Sequence, residues 1–435
     1  MSRTSLWLLL AAVLLAASCG FNDVPPSDGP TPPPKEEPTA DAADPLRTRI
    51  EAAIRHVARR ELHTDDPFWT VFHGVLGLGP DLMLLDPRTG NRVKALDYFS
   101  APSEPLMPGL LFTPTAHGVK VEVGTGLEQV GVWQGHQDQF VAEALAEWGA
   151  PLERRFTIRT ARGDREATTL DFVRQSQMQA SADEKKKQEL SWAVVVVGQY
   201  LGTDAKWTNA YGESMHFDDM MRHELRAEVE GAACGGTHRL FGLTWALHLH
   251  LLRGGKRTGV WAEVDRKNAH FHERARRHQA IDGSFSANFF RPTALTVPRP
   301  DLPGADGSFT TRPLPGQSSD RYQRINTTGH IVEWLALSLP DDELRVPWVR
   351  DAVNALTLML LDVQDLNIDA LHYHAAHGLY IYYARVYGYG PFIPQKSQDW
   401  TVTAGPEQLL IPLPPEWKQV GPRIGPPLAA KDRAP

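Results

Sequence analysis

Three histidines that open helical segments are the residues of this sequence best suited to chemistry. His238, His330 and His377 each stand near the start of a segment whose apolar residues follow a helical spacing. Imidazole exchanges protons near neutral pH and is a common metal ligand. If these helices pack side by side, their starts meet at one opening, and the three imidazoles with Asp282 form a catalytic rim. The competing interpretation is that histidine at these positions is a repeated structural cap.

Charged and aromatic neighbours of these histidines are the candidate ligand-binding residues. They are Arg239, Glu333, Trp334 and His374. In "HYHAAHG", His374 and His377 are three residues apart and share a helix face, whereas His372 faces elsewhere. A divalent metal site there needs ligands from other helices, which His330 and His238 would supply. Whether the chain has a metal cofactor stays open at this point.

The stretch "EGAACGGTHR" allows three interpretations. Glu230, Cys234 and His238 follow at a spacing of four, so a continuous helix would place three zinc ligands on one face. Gly235 and Gly236 argue against a continuous helix. Alternatively, Cys234 is a nucleophile with His238 as its base. In the third interpretation, Cys234 is a small buried residue at a tight helix junction.

The helical segments recur at a nearly constant interval. His238 and His330 are 92 residues apart, and His330 and His377 are 47 apart. Half of the longer interval reaches residue 284, and one step of the same size back from His238 reaches Trp192. About 46 residues is the length of two helices with their loops, so the interval predicts a series of helical hairpins. Six to seven such hairpins fit the chain.

A short element near the middle favours a closed ring of hairpins. Gln279, Gly283 and Phe285 resemble the Q-x3-G-x-W element of the terpenoid cyclase and protein prenyltransferase superfamily, with Phe in place of Trp. That resemblance implies an all-α fold, an α/α toroid, in which the glutamine joins a helix end to a neighbouring loop. It does not extend to activity, because the Asp-x-Asp-Asp motif of the cyclases and the Asp-x-Tyr-Cys-like string of the transferases are missing from the sequence.

The N-terminus is typical of a bacterial lipoprotein. Arg3 precedes the twelve apolar residues 6–17, which are too few to span a bilayer but suit a secretory signal. The following "AASC" resembles a lipobox, so we expect lipid on Cys19 and attachment to a membrane lipid layer on the periplasmic or cell-surface side. Gly20 after the cysteine favours the outer membrane in a Gram-negative cell. Cleavage to a soluble exported protein is the alternative.

The sequence therefore predicts four parts. They are a signal peptide at 1–18, a Pro-rich tether at 19–46, a toroid domain at 47–391 and a Pro-rich tail at 392–435, with a long loop at 291–324 inside the domain. A net charge of −7 without a cationic stripe excludes nucleic acid as a partner.

Two functions agree with this organisation. The first is a module that binds or scaffolds a small molecule or carbohydrate in a central cavity. The second is an enzyme of the polysaccharide lyase or glycosidase type, with the histidines and acids as its proton donors and acceptors. No complete catalytic set can be assembled from spacing, which favours the first and leaves open whether the protein is an enzyme.

Overall fold

The computed structural model describes most of the chain between residues 44 and 388. The described residues are 44–123, 136–186, 188–230, 232–286, 289–290, 318–363 and 371–388. The predicted signal peptide, the tether with Cys19, most of the long loop and the tail lie outside them. All described residues belong to one compact unit that begins at Asp44.

Helices predominate, as the apolar spacing predicts. The first begins at Pro45, where Asp44 caps it by accepting a hydrogen bond from the Leu46 N–H at 3.0 Å. The β-branched run Val194 to Val197 is helical as well, although valine favours strands. The α-helices are α1 (Pro45–Val57), α2 (Phe68–Leu78), α3 (Ala95–Ser100), α4 (Thr169–Gln179), α5 (Ser191–Leu201), α6 (Phe217–Arg226), α7 (Thr237–Leu252), α8 (Val260–His278), α9 (Ser318–Ser338), α10 (Pro347–Leu361) and α11 (Leu371–Val386); Val141–Ala146 forms a π-helix.

The expectation of an all-α fold is wrong in one respect, because four small sheets accompany the helices. Only β5, in "GVKVEV", shows the alternation of apolar and polar residues that is typical of a strand. The other strands, of two to five residues, are too short to carry a readable alternation. The strands are β1 (Leu62–His63), β2 (Met83–Leu85), β3 (Arg92–Lys94), β4 (Leu110–Pro114), β5 (Val119–Val123), β6 (Arg155–Ile158), β7 (Arg165–Thr168), β8 (Lys206–Thr208) and β9 (Ser214–His216).

The pairing of these strands links the sheets to the helices. β1 pairs parallel with β2, and all other pairs, β2–β3, β4–β5, β6–β7 and β8–β9, are antiparallel. Three hairpins run directly into a helix: β2–β3 into α3, β6–β7 into α4 and β8–β9 into α6. Capping boxes start α4 at Thr168 and α6 at His216, which fixes where each hairpin ends.

Six segments contact one another in succession, and we call them the core helices: α2, the π-helix, α5, α7, α9 and α11. The last of these, α11, also contacts α2. The other long helices lie against this set, for example α4 against α5, α8 against α7 and α10 against α9. Their apolar side chains form the main hydrophobic core, which includes Trp192, Phe241 and Leu335.

Glycine allows α9 and α11 to approach closely. A Cβ atom on Gly329 would lie 2.9 Å from the Cα of Ala375, and one on Gly378 would lie 2.7 Å from the backbone nitrogen of Glu333. Any larger side chain at these positions would push the two helices apart. The close approach brings the polar residues of α9 directly against those of α11.

The turn after α8 contains the glutamine element. The Gln279 Nε2 donates to the Gly283 carbonyl at 2.8 Å and to the Trp348 carbonyl at 2.7 Å, so it joins the end of α8 to the start of α10. Phe285 is fully buried. The predicted contact of the glutamine is therefore present, while the family resemblance stays a prediction. Residue 284 lies in this turn, so it does not begin a core helix, and the described part of the 92-residue interval includes the long helix α8.

Two further boundaries differ from expectation. The compact unit begins at Asp44 rather than at residue 47, and α9 begins at Ser318, inside the segment predicted to be a loop through residue 324. No described helix combines the length and the apolar character that crossing a membrane requires.

Candidate metal centre

Three buried imidazoles come together where α7, α9 and α11 meet. His238, His330 and His374 are each 3% exposed or less. The ring centroids of His330 and His374 are 4.0 Å apart, and those of His238 lie 5.1 Å from His330 and 5.5 Å from His374. One ligand atom from each ring lies within 4.8 Å of the others. The ligand atoms around a zinc ion stand about 3 to 4 Å apart, so small rotations of the rings would complete such a set.

Hydrogen bonds fix the orientation of two of these rings. The Nδ1 of His330 donates to the Asn326 carbonyl at 2.8 Å, which leaves the Nε2 lone pair of the neutral ring without a hydrogen bond among the described residues. The Nδ1 of His374 bonds the Glu333 carboxylate at 3.1 Å. Metal-binding histidines are oriented in this way by a carbonyl or carboxylate behind the ring. His238 has no hydrogen bond on either nitrogen within the described part of the chain.

A second group of ligand atoms continues from His374 toward α2. It consists of His73, Glu143 and His374, again within 4.8 Å of one another. His73 is fully buried, and its Nδ1 donates to the Trp69 carbonyl at 2.7 Å. The Gln139 Nε2 lies 3.2 Å from His73 Nε2 and donates to Glu143 at 2.8 Å. Glu143 lies in the π-helix, a rare conformation that is found frequently at functional sites.

Burial changes the proton affinity of these groups in a consistent direction. Burial, with the neighbouring imidazoles, holds the pKa of His73 and of His238 well below the usual value. Burial, with the charge on His374, lowers the pKa of His330 to about 3. These rings are therefore neutral at physiological pH, which is the form that binds a metal ion.

Three buried carboxyl groups lie beside the imidazoles. Burial raises the pKa of Glu143 to about 7, and burial together with the other two carboxylates raises the pKa of Glu147 well above its ordinary value. Burial also acts to raise the pKa of Glu333, but its bonds to His374 and His377 outweigh this and hold it far below the usual range. The His377 Nδ1 lies 2.6 Å from Glu333, and its Nε2 lies 3.5 Å from Glu147.

The opposite end of the cluster reaches toward solvent. The His136 side chain is 10% exposed, and its ring centroid is 4.6 Å from that of His238. Its Nδ1 bonds Glu189 at 2.7 Å, and its Nε2 lies 4.0 Å from the Sγ of Cys234. Burial lowers the pKa of His136, but its contacts with Cys234 and Glu189 raise it overall to about 10. His136, Cys234 and His238 form a third group of ligand atoms within 4.8 Å.

The structure brings His238, His330 and His377 near one another, since the first two rings are adjacent and Glu333 links His377 to His374, but it buries them and does not place them at an open rim. His374 and Glu333 also lie in this cluster. Asp282 lies elsewhere, because its carboxylate bonds Ser284 and Arg324 in the turn after α8.

Arg239 and Trp334 do not face the cluster either. The Arg239 Nε donates to Glu224 on α6 at 2.9 Å, and the Trp334 indole donates to Asn268 on α8 at 3.1 Å. Neither side chain contributes to the cluster, for the same reason: each points from its core helix toward a neighbouring outer one. The expected zinc ligand Glu230 instead pairs with Arg274, and Cys234 interrupts the helix that would have aligned it with His238.

Sequence reasoning missed four members of the cluster: His73, His136, Glu143 and Glu147. The available signal was the spacing of Gln139, Glu143 and Glu147 in "HQDQFVAEALAEW", where polar residues recur every four positions along an otherwise apolar segment. A polar residue at that spacing among buried ones marks an interior polar face.

Comparisons of the chain with protein-family models, with curated proteins and with solved structures found no match. The function is therefore argued from the geometry and chemistry of this cluster.

Proposed function

We propose that the protein binds a transition-metal ion through His238, His330 and His374, with Glu143 and His73 as adjacent ligands. The observation that carries this proposal is the state of His238. Its ring is 1% exposed, and neither nitrogen has a hydrogen bond among the described residues. An unpaired buried polar group costs about 1–3 kcal/mol, and a bound cation would satisfy it.

Charge in the same interior supports a cation. Glu333 keeps its negative charge but already bonds His374 and His377, and the raised pKa of Glu147 keeps that group uncharged. Glu143, with a pKa of about 7, is the carboxyl group that can ionise near neutral pH, and no described lysine or arginine pairs with it. A buried carboxylate is normally paired or bound to metal, so a divalent ion beside Glu143 would favour its ionised form.

The donor atoms indicate which metals fit. Imidazole suits zinc, copper, iron and nickel, and three histidines with an open position are the ligands of one class of catalytic zinc site. Glu333 behind His374 and the Asn326 carbonyl behind His330 are the supporting contacts that such sites use. We therefore take Zn²⁺ as the first ion to test.

We further infer that the core helices form an α/α toroid with the metal site at its axis. The support is that α2, the π-helix, α5, α7, α9 and α11 contact one another in turn and that α11 returns to α2. Attachment to an exported membrane surface through lipid on Cys19 is a proposal from the sequence alone.

The polysaccharide lyase or glycosidase alternative receives no support from the cluster. Its imidazoles and carboxylates on α9 and α11 are 5% exposed or less, so a sugar polymer does not reach them in this conformation. Binding of an ion needs no such access.

The test is the metal content of the full chain. Purified protein supplied with Zn²⁺, dialysed and measured by elemental analysis should retain one equivalent, and His238→Ala, His330→Ala and His374→Ala should each lose it. His248→Ala is the matched control, because His248 is also buried on α7 but bonds the Leu337 carbonyl at 3.1 Å.

X-ray absorption keeps the test independent of folding defects in the variants. The wild-type zinc spectrum should show an imidazole-rich shell at about 2.0–2.1 Å. Protein that retains none of zinc, copper, nickel or iron after dialysis, or variants that keep the wild-type content, would refute the proposal.

A further inference from the structure

We propose that Cys234 is a nucleophile for acyl substrates, with His136 as its proton-transfer partner and Glu189 as the residue that positions the His136 ring. The substrate class is a carbonyl compound with a good leaving group, such as a thioester or an activated ester. This inference does not depend on the metal site, although His238 lies between the two.

The three side chains have the geometry of a nucleophile, base and orienting group. The Cys234 Sγ lies 4.0 Å from His136 Nε2, within the range of a sulfur hydrogen bond. The His136 Nδ1 lies 2.7 Å from the Glu189 carboxylate, which fixes the ring with its Nε2 toward the thiol. A nucleophile in contact with a base that a third group holds is the recurring arrangement of covalent catalysis.

The backbone at Cys234 is strained in a way that supports a functional role. Its φ and ψ are 49° and 36°, a left-handed conformation that costs a residue with a side chain about 1–3 kcal/mol. Among the described residues, only Asp138 and Phe289 share a positive φ without being glycine. Such strain is concentrated at functional sites, where it aims a side chain that a relaxed turn would point elsewhere.

The residues after Cys234 hold this conformation in place. A Cβ atom on Gly236 would lie 2.2 Å from the Val229 carbonyl oxygen, so the turn passes against the backbone and requires glycine. Thr237 donates from its Oγ1 to the Cys234 carbonyl at 2.7 Å and begins α7. Cys234 therefore precedes α7 by three residues, and its backbone is bonded to the first residue of that helix.

Exposure separates this site from the rest of the cluster. Cys234 is partly exposed and the His136 side chain is 10% exposed, whereas His238 is 1% exposed. A small acyl compound can therefore reach the sulfur without entering the interior.

The reaction needs no co-reactant except water. His136 holds the proton when the sulfur attacks the carbonyl carbon, in keeping with its raised pKa, and gives this proton to the leaving group as the bond between that group and carbon breaks. The neutral ring then takes a proton from water, the resulting hydroxide attacks the thioester, and the carbon–sulfur bond breaks. The acid is released, and the sulfur again lies beside a protonated His136.

Acylation by p-nitrophenyl acetate tests the proposal on zinc-free full chain. We expect one acetyl group on the Cys234 peptide by mass spectrometry and a burst of p-nitrophenolate. Cys234→Ala should abolish the burst, and His136→Ala should slow it about 10²- to 10⁴-fold, as loss of a general acid or base does. His248→Ala, away from the site, should leave it unchanged.

Glu189→Gln is a more conservative variant, chosen because it should fold normally. It should slow acylation without changing the circular dichroism spectrum or the thermal midpoint. A residue with a purely structural role would instead change the spectrum or the midpoint together with the rate. Acylation of other residues instead of Cys234, or an equal rate in folded His136→Ala, would overturn the proposal.

The zinc content of the Cys234→Ala variant distinguishes a nucleophilic Cys234 from a Cys234 that is a further metal ligand. If Cys234→Ala retains zinc at the wild-type stoichiometry, the result supports Cys234 as a nucleophile. If the variant loses its zinc, Cys234 is a metal ligand and the nucleophile proposal is overturned. Zinc content of the wild type reports separately on the metal centre, so the two proposals can fail independently.

Discussion

His238 and Arg239 are consecutive residues of α7, both buried, and they differ in how their polar atoms are satisfied. Arg239 donates to Glu224, and Glu224 also accepts from the Leu190 backbone at 2.9 Å and the Ser191 hydroxyl at 2.8 Å. His238 has no hydrogen bond within the described residues. Consecutive residues of an α-helix point about 100° apart. Arg239 therefore points to a complete hydrogen-bond network, whereas His238 points to an incomplete set of metal ligands. The comparison shows that a buried polar group can be assigned a role in stabilising the fold only where its hydrogen-bond partners are present.

Removal of Glu224 should have the largest effect on stability. Glu224→Ala leaves the Arg239 guanidinium buried without its partner, so we expect a loss of about 3–5 kcal/mol in the free energy of unfolding. Urea denaturation measures this, and zinc content per folded molecule should not change. The double variant Glu224→Leu with Arg239→Met should recover most of the loss, because it removes both charges. Zinc loss from folded Glu224→Ala would contradict the separation of the two regions.

Glu333→Gln should affect the metal rather than the fold. The amide keeps the shape but removes the charge that holds His374 and His377, so we expect zinc affinity to fall about 10- to 100-fold. Competition with a chromophoric chelator gives the dissociation constant. Glu147→Gln is the control: Glu147 bonds none of the three proposed ligands among the described residues and its raised pKa keeps it uncharged, so the amide should leave the constant unchanged. Equal weakening in both variants would mean that bulk charge, not orientation of His374, governs affinity.

His248 can be compared with His238, because both are buried histidines of α7 but only His248 has a hydrogen-bond partner among the described residues. Burial, with the charge on Arg385, lowers its pKa to about 3, against 6.5 in the unfolded chain. A depressed pKa means that the stabilising contribution is complete above pH 6.5 and is lost as pH falls toward 3. Below about pH 6, where the unfolded histidine is mostly protonated, the free energy of unfolding of the wild type should therefore fall by about 1.4 kcal/mol per pH unit more than that of His248→Gln. Urea denaturation between about pH 7 and pH 5 checks this, and parallel declines would contradict it.

The helices and the gathering of histidines from α7, α9 and α11 were predictable because both depend on periodicity. Apolar spacing identified the helices, and similar positions near their starts brought His238 and His330 together. Strands such as β8 were not predictable, since three residues carry no usable period. Asp282 was misplaced because its repeated "DGSF" context marks a turn joined to Arg324, which spacing could not reveal.

By itself, the sequence indicated most of the helical segments and the approach of several histidines, and the resemblance carried by "HQAIDGSF" implied that its glutamine would join two elements. Only the tertiary structure decided which side chains of each helix meet: His136 as the partner of Cys234, Glu143 beside His73, and Arg239 turned to Glu224. The physical reason is that helical period fixes which residues share a face but not the rotation of that face against its neighbours. That rotation is set by packing between elements far apart in the chain, as Gly329 and Gly378 set it for α9 and α11.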